Sequence, residues 1–276
     1  MNKILIILCA LVLFACSEPK EKKPSASGPE TSVTPIVQTP QLHYSIVNRY
    51  PHDELAFTEG FLFHNGVLYE STGSPDNLPQ TQSFIGSVDL KTGKINKKVE
   101  LDRSIYFGEG IVFLNNKVYQ LTYKNKLGFY YDAKSFKKIG QFTYENEEGW
   151  GMTTDGTSLI MSDGTHQLTY LDAFSLKPSK KITVTENDFF VQHLNELEYI
   201  NGFIYANIWL TNNIVKIDPQ TGKVVGKIDL SNLVYEVKST HPAAAELNGI
   251  AFNPENKNVY VTGKMWPTIY ELKLTE

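Results

Sequence analysis

The stretch SIYFGEGIVFLNNKVYQLTYK, Ser104 to Lys124, places one carboxylate, Glu109, between two glycines just before an apolar run. Glycine removes side-chain bulk and widens the choice of φ, so a flanked carboxylate can stand bare at the start of a strand. There it either moves protons or ends a turn. Related openings recur along the chain, with Glu59 in FTEGFLF, Trp150 in EGWGMTT, Asn195 in LNELEYI and Asn248 in LNGIAFN. Acids and amides of this kind suit proton transfer and the holding of a polar ligand between aromatic walls. Other chemistries lack their residues. The six histidines form no H-E-x-x-H or closely spaced pair, G-x-S-x-G is absent, and there is no glycine-rich phosphate loop.

The elements that must carry these residues show themselves as a repeat. Each opening leads into a turn such as His64-Asn65-Gly66, Leu114-Asn115-Asn116, Asp155-Gly156 or Asn201-Gly202, and then into an alternating run: VLYESTG, KVYQLTY, SLIMSDG, FIYANIW, NVYVTGK. Apolar spacing of two with Asn-Gly-type turns predicts hairpins. A third run follows in every copy, and in four copies a further turn and a fourth strand. Four short strands per roughly 40 to 50 residues is the period of propeller blades. The expected fold is therefore all-β, a five-bladed β-propeller, with a two-sheet sandwich as the alternative. The last copy, Leu247 to Leu274, has three strands, so LHYSIVNRY from Leu42 is expected to complete it and close the ring, leaving no free edge. First strands line the central channel, so Glu59, Glu109, Trp150, Asn195 and Asn248 are expected around one pocket.

Composition sets the wider limits. The 276 residues are 41% apolar and 12% aromatic, enough for a buried core, and the net charge of -4 gives no basic field for nucleic acid. Lys3 precedes an apolar run from Ile4 to Ala15, too short to span a bilayer of roughly 30 Å. It reads as a signal peptide over 1–15. The ending Leu13-Phe14-Ala15-Cys16 resembles a bacterial lipoprotein box, which makes Cys16 the expected lipidation site and the cell envelope, outside the cytoplasm, the expected location, at the outer membrane or in the periplasm. Cys9 lies in the removed segment, so no disulfide is expected. Residues 16–41, rich in Lys, Glu, Pro, Ser and Thr, read as a flexible tether, and 42–276 as the folded domain.

In order, FTEG, YESTG, FGEG, QLTY, EGWGM, SDG, LNELE, ANIW, LNGIAF and TGKMWP resemble the glutamine cyclotransferases of the plant and bacterial type. The resemblance runs from about Phe57 to Leu274. It implies a five-bladed propeller that converts N-terminal glutamine of peptides to pyroglutamate and releases ammonia. It implies Glu109 as the acid/base of the reaction, with Asn195 and Lys264 as its polar partners. Phe57, Phe107, Trp150 and Trp209 correspond to the family's pocket aromatics. Two positions depart: Tyr123 stands where the family usually has tryptophan, and Glu59 where it usually has glutamine. Tyr123 is expected to alter affinity. Glu59 either holds the substrate ammonium or, by like-charge repulsion, raises the pKa of one glutamate. No catalytic metal is expected, and a structural calcium at Glu198, Asp163 and channel carbonyls is the one metal reading left open. The expected partners are glutaminyl peptides and, through Cys16, the lipid bilayer; the domain is expected to be a monomer. The rival reading is a non-catalytic propeller that binds a peptide or partner at the same mouth.

Overall fold

A computed structural model of the chain describes residues 38–275. The expected leader, Cys16 and most of the 16–41 tether lie outside these residues. Asn65 and Gly66 both adopt positive φ, 50° and 73°, and the pair Asn201 and Gly202 does the same, as two-residue hairpin turns require. The alternating runs on either side therefore fold back on each other.

The hairpins assemble into five four-stranded antiparallel sheets. Blade one comprises Phe57–His64, Val67–Gly73, Phe84–Val88 and Ile95–Glu100. Blade two comprises Gly108–Leu114, Lys117–Thr122, Leu127–Asp132 and Lys138–Thr143, and blade three Met152–Thr154, Ser158–Met161, Gln167–Asp172 and Pro178–Thr183. Blade four comprises Leu194–Ile200, Phe203–Ile208, Asn213–Ile217 and Val224–Asp229. Blade five takes Leu247–Asn253, Asn258–Gly263 and Thr268–Thr275 from the C-terminal end and His43–Pro51 from the N-terminal end. The first strands touch in cyclic order, blade one against two and so on back to one. Each of the five apolar clusters draws its residues from two neighbouring blades, which a ring requires and a two-sheet sandwich does not. The N-terminal strand closes the ring as its position in the repeat predicts. Structure reaches slightly further back than Leu42, because the Pro40 carbonyl accepts a hydrogen bond from Lys227 N and Gln41 pairs beside it on the outer strand of blade four.

Two elements stand outside the repeat. A short hairpin, Thr185–Glu186 with Phe189–Phe190, lies between blades three and four. The helix Ser231–Thr240 between blades four and five buries Leu233, Val234 and Val237 in the core that these blades share.

The inner strands carry an irregularity at one repeated place. Register shifts fall between Thr58 and Gly60, Gly108 and Ile111, Leu194 and Leu197, and Leu247 and Ile250. Bulges re-aim the side chains they contain, and these contain Glu59, Glu109, Asn195 and Asn248. The glycines around Glu109 answer to crowding: a Cβ on Gly108 would lie 2.7 Å from the Thr72 carbonyl, and one on Gly110 2.4 Å from Met152 N. Blades one and three thus close on Glu109 from both sides, and its backbone is further fixed by the Ser71 hydroxyl, which donates to the Glu109 carbonyl at 2.6 Å.

Candidate active site

A cavity of about 790 Å³ opens at the end of the ring where the inner strands begin. Its wall includes Phe57, Glu59, Phe107, Glu109, Tyr123, Trp150, Asn195, Trp209 and Lys264, every pocket residue that the sequence nominates except Asn248. These nine come from all five blades. Asn248 is fully buried below the cavity, where its Nδ2 donates to the Thr58 carbonyl at 2.9 Å and to Glu59 Oε2 at 3.0 Å. It supports a wall residue and lines no wall itself.

The two glutamates of equivalent sequence position have different surroundings. Lys264 Nζ lies 2.8 Å from Glu59 Oε1, and with Asn248 on the other oxygen the Glu59 carboxylate is satisfied. Burial raises its pKa and the lysine pulls it back, to about 7. Glu109 is 4% exposed and its carboxylate has no hydrogen-bond partner among the described residues. Burial, and then the charge of Glu59, hold it well above the usual carboxylate range, with Lys264 opposing. Lys264 itself is 6% exposed and sits 4.7 Å from the centre of the Phe57 ring. Its charge belongs first to Glu59, not to Glu109.

Aromatic faces complete the wall. Phe57 and Phe107 meet edge to face at 6.1 Å, Phe107 and Tyr123 lie 5.6 Å apart, and Trp150 and Trp209 meet edge to face at 5.6 Å. Neither side-chain atom of Asn195 has a partner among the described residues, so its amide is free to serve a ligand. Asp163 is held by a turn: its Oδ1 accepts from Thr165 N and Oγ, and its Oδ2 from Asn146 Nδ2. Glu198 accepts from Phe252 N at 2.8 Å in blade four. Among the described residues no three His, Cys, Asp or Glu side chains gather as a metal site.

Three groups escaped the sequence reading. Glu148, two residues before Trp150, lines the cavity and accepts from the indole Nε1 at 2.9 Å; its signal in the sequence is the EGWG motif that also holds the tryptophan. Glu196 takes the place that Gly60, Gly110, Gly151 and Gly249 hold in the other blades. Its carboxylate crosses the axis, accepting from Phe61 N at 3.2 Å and Ile250 N at 2.8 Å, and so fixes the strands that carry Glu59 and Asn248. The third group is a buried clamp behind Lys264. His52 Nε2 lies 3.0 Å from Glu70 Oε2, His52 Nδ1 lies 2.8 Å from the Trp266 carbonyl, and the Thr58 hydroxyl donates to Glu70 Oε1 at 2.7 Å. Burial lowers the His52 pKa, yet the adjoining Glu70 carboxylate and Trp266 carbonyl outweigh it and leave His52 above its ordinary value. The clamp joins the strand that closes the ring to the loop that presents Lys264.

Comparison with known proteins matches this architecture. The family model for glutamine cyclotransferase matches residues 8–274. A glutaminyl-peptide cyclotransferase of Arabidopsis thaliana is 39% identical over 233 residues, 84% of this chain and 71% of that protein. The crystal structure of Myxococcus xanthus glutaminyl cyclase superposes with a TM-score of 0.76 at 33% identity, over 86% of this chain and 98% of that one. With five closed blades, a cavity at their mouth and these matches along nearly its whole length, the chain belongs to the glutamine cyclotransferase family.

Proposed function

We propose that this transferase is an aminoacyltransferase that closes N-terminal glutamine of peptides to pyroglutamate, with Glu109 as the group that moves the proton. The observation that carries the reading is the state of Glu109: buried, without a donor, and flanked by aromatic walls in a cavity large enough for a peptide terminus. The substrate brings amine and carbonyl together in one residue, so the site need only fix its conformation and handle protons. A terminal amine has a pKa of about 7.7 to 8.0 and attacks once it has lost a proton. Glu109 takes that proton as the new C–N bond forms, then returns it to the amide nitrogen as the old C–N bond breaks and ammonia leaves. The carboxylate ends as it began. Its raised pKa suits both transfers.

Negative charge develops on the former carbonyl oxygen, and the uncommitted amide of Asn195 is the donor that fits it. Lys264, already bound to Glu59, contributes field more than a free hydrogen bond. Removing such a donor typically costs about 2.7 to 4 kcal/mol of transition-state stabilisation. Phe57, Phe107, Tyr123, Trp150 and Trp209 hold the glutaminyl chain and keep out the water that would hydrolyse it.

The test is ammonia release from Gln-Ala. Wild type turns over and Glu109→Gln, still folded, loses about 10² to 10⁴-fold in kcat; equal rates would remove Glu109 from the mechanism. A tight peptide complex without turnover in wild type would instead favour the binding-module reading. The scheme uses no metal, so EDTA leaves the rate unchanged. Lipidation of Cys16, which would hold the enzyme at the envelope, is tested by fatty-acid labelling that Cys16→Ser abolishes.

A further inference from the structure

We propose that Glu148 receives the α-ammonium group of the substrate and thereby restricts the site to peptides with a free amino terminus. This rests on the cyclisation reading above. The acids around the cavity differ in what already occupies them. Glu59 is satisfied by Lys264 and Asn248, and Asp163 is held by Thr165 and Asn146. Asp76 is exposed at the rim. Glu109 is buried without any donor and, on the reading above, is the group that takes the proton, so it is not the lasting partner of the ammonium.

Glu148 alone combines a fixed carboxylate with an unneutralised charge. One oxygen is anchored by the Trp150 indole at 2.9 Å, which sets the rotamer. No lysine, arginine or histidine among the described residues forms an ion pair with it. The Tyr123 hydroxyl is its other neighbour, its pKa pushed up to about 12 by burial and then by the Glu148 charge and a hydrogen bond to that carboxylate; both its neighbours are neutral donors and leave the charge for a cation. A substrate ammonium seated there meets a charge-assisted acceptor, which compensates its loss of water. Glu109 lines the same cavity and feels the Glu148 charge. An acylated terminus offers no cation and gains nothing from the contact.

The product separates this role from simple packing, because pyroglutamate keeps the ring and the peptide but has lost the ammonium. Glu148→Gln keeps an oxygen for the Trp150 N–H and so preserves the wall. In the full chain, with Gln-Ala as substrate, KM should rise at least tenfold while kcat stays within threefold. Inhibition by pyroglutamyl-alanine should be unchanged. An unchanged KM, or equal weakening of substrate and product, would overturn the assignment while leaving an active wild type and the cyclisation reading intact. A wild type that releases no ammonia would sink both.

Discussion

Glu59 and Glu109 occupy the same place in adjacent blades, each in a bulge of the innermost strand and each followed by a glycine, yet one is charge-compensated and the other is alone. The repeat places both carboxyls at the cavity. Neighbours from other blades decide what each can do. Lys264 and Asn248, both of blade five, reach Glu59 and leave Glu109 bare. A position shared in a repeat thus fixes location, while protonation is set by contacts that the repeat does not encode.

Stability should divide the pair most sharply. Glu59→Gln leaves a buried lysine without its counter-charge and should cost about 3 to 5 kcal/mol in denaturant unfolding at neutral pH. Lys264→Met should cost about as much, because it strands Glu59. Glu109→Gln strands no charged partner and should escape that cost. A carboxyl whose folded pKa is raised above its unfolded value contributes fully below that unfolded value, and its contribution is lost as pH rises through the folded pKa. Wild type therefore weakens with rising pH, and Glu109→Gln should remove that part of the slope. Each unit of raised pKa is worth about 1.4 kcal/mol. Identical effects of the two substitutions would erase the distinction.

The coupling between the two acids gives a further expectation. The Glu59 charge raises the Glu109 pKa and Lys264 lowers it. Glu59→Gln deletes the first influence and releases the second, so the acid limb of kcat/KM should move to lower pH. A limb that stays in place or moves up would uncouple them. The smallest effect belongs to the wall: Tyr123→Phe keeps the ring and drops the hydroxyl, and should change KM a few-fold with kcat retained.

The strands, their turns and the closing of blade five by Leu42 onwards were legible because period-two patterning and Asn-Gly turns are local signals. So were Glu59, Glu109, Trp150 and Asn195 of the cavity, since inner strands start at the axis, whereas Phe57, Phe107, Tyr123, Trp209 and Lys264 were legible through the family resemblance. The Glu59–Lys264 pair was not legible, because its members are 205 positions apart (264 − 59) and nothing local joins them. Asn248 shares its opening with Asn195, and of the two it reads more as a structural residue; its hold on Glu59 and on the Thr58 carbonyl, 190 positions away, has no local signal. The helix Ser231–Thr240 was missed because Val234, Tyr235, Val237 and Thr240 are poor helix formers and no side chain caps its start; tertiary burial of Leu233, Val234 and Val237 holds it.

The central claim is that burial without a donor lifts the Glu109 carboxyl well above the ordinary carboxylate range, while Glu59 is held as the paired partner of Lys264 and Asn248. Carbon-13 NMR of glutamate side-chain carboxyls, with the two signals assigned by their loss in Glu109→Gln and Glu59→Gln, measures this directly across a pH titration. The Glu59 signal should titrate near 7 and the Glu109 signal well above the ordinary carboxylate range. A Glu109 signal that titrates in the ordinary carboxylate range would contradict the account.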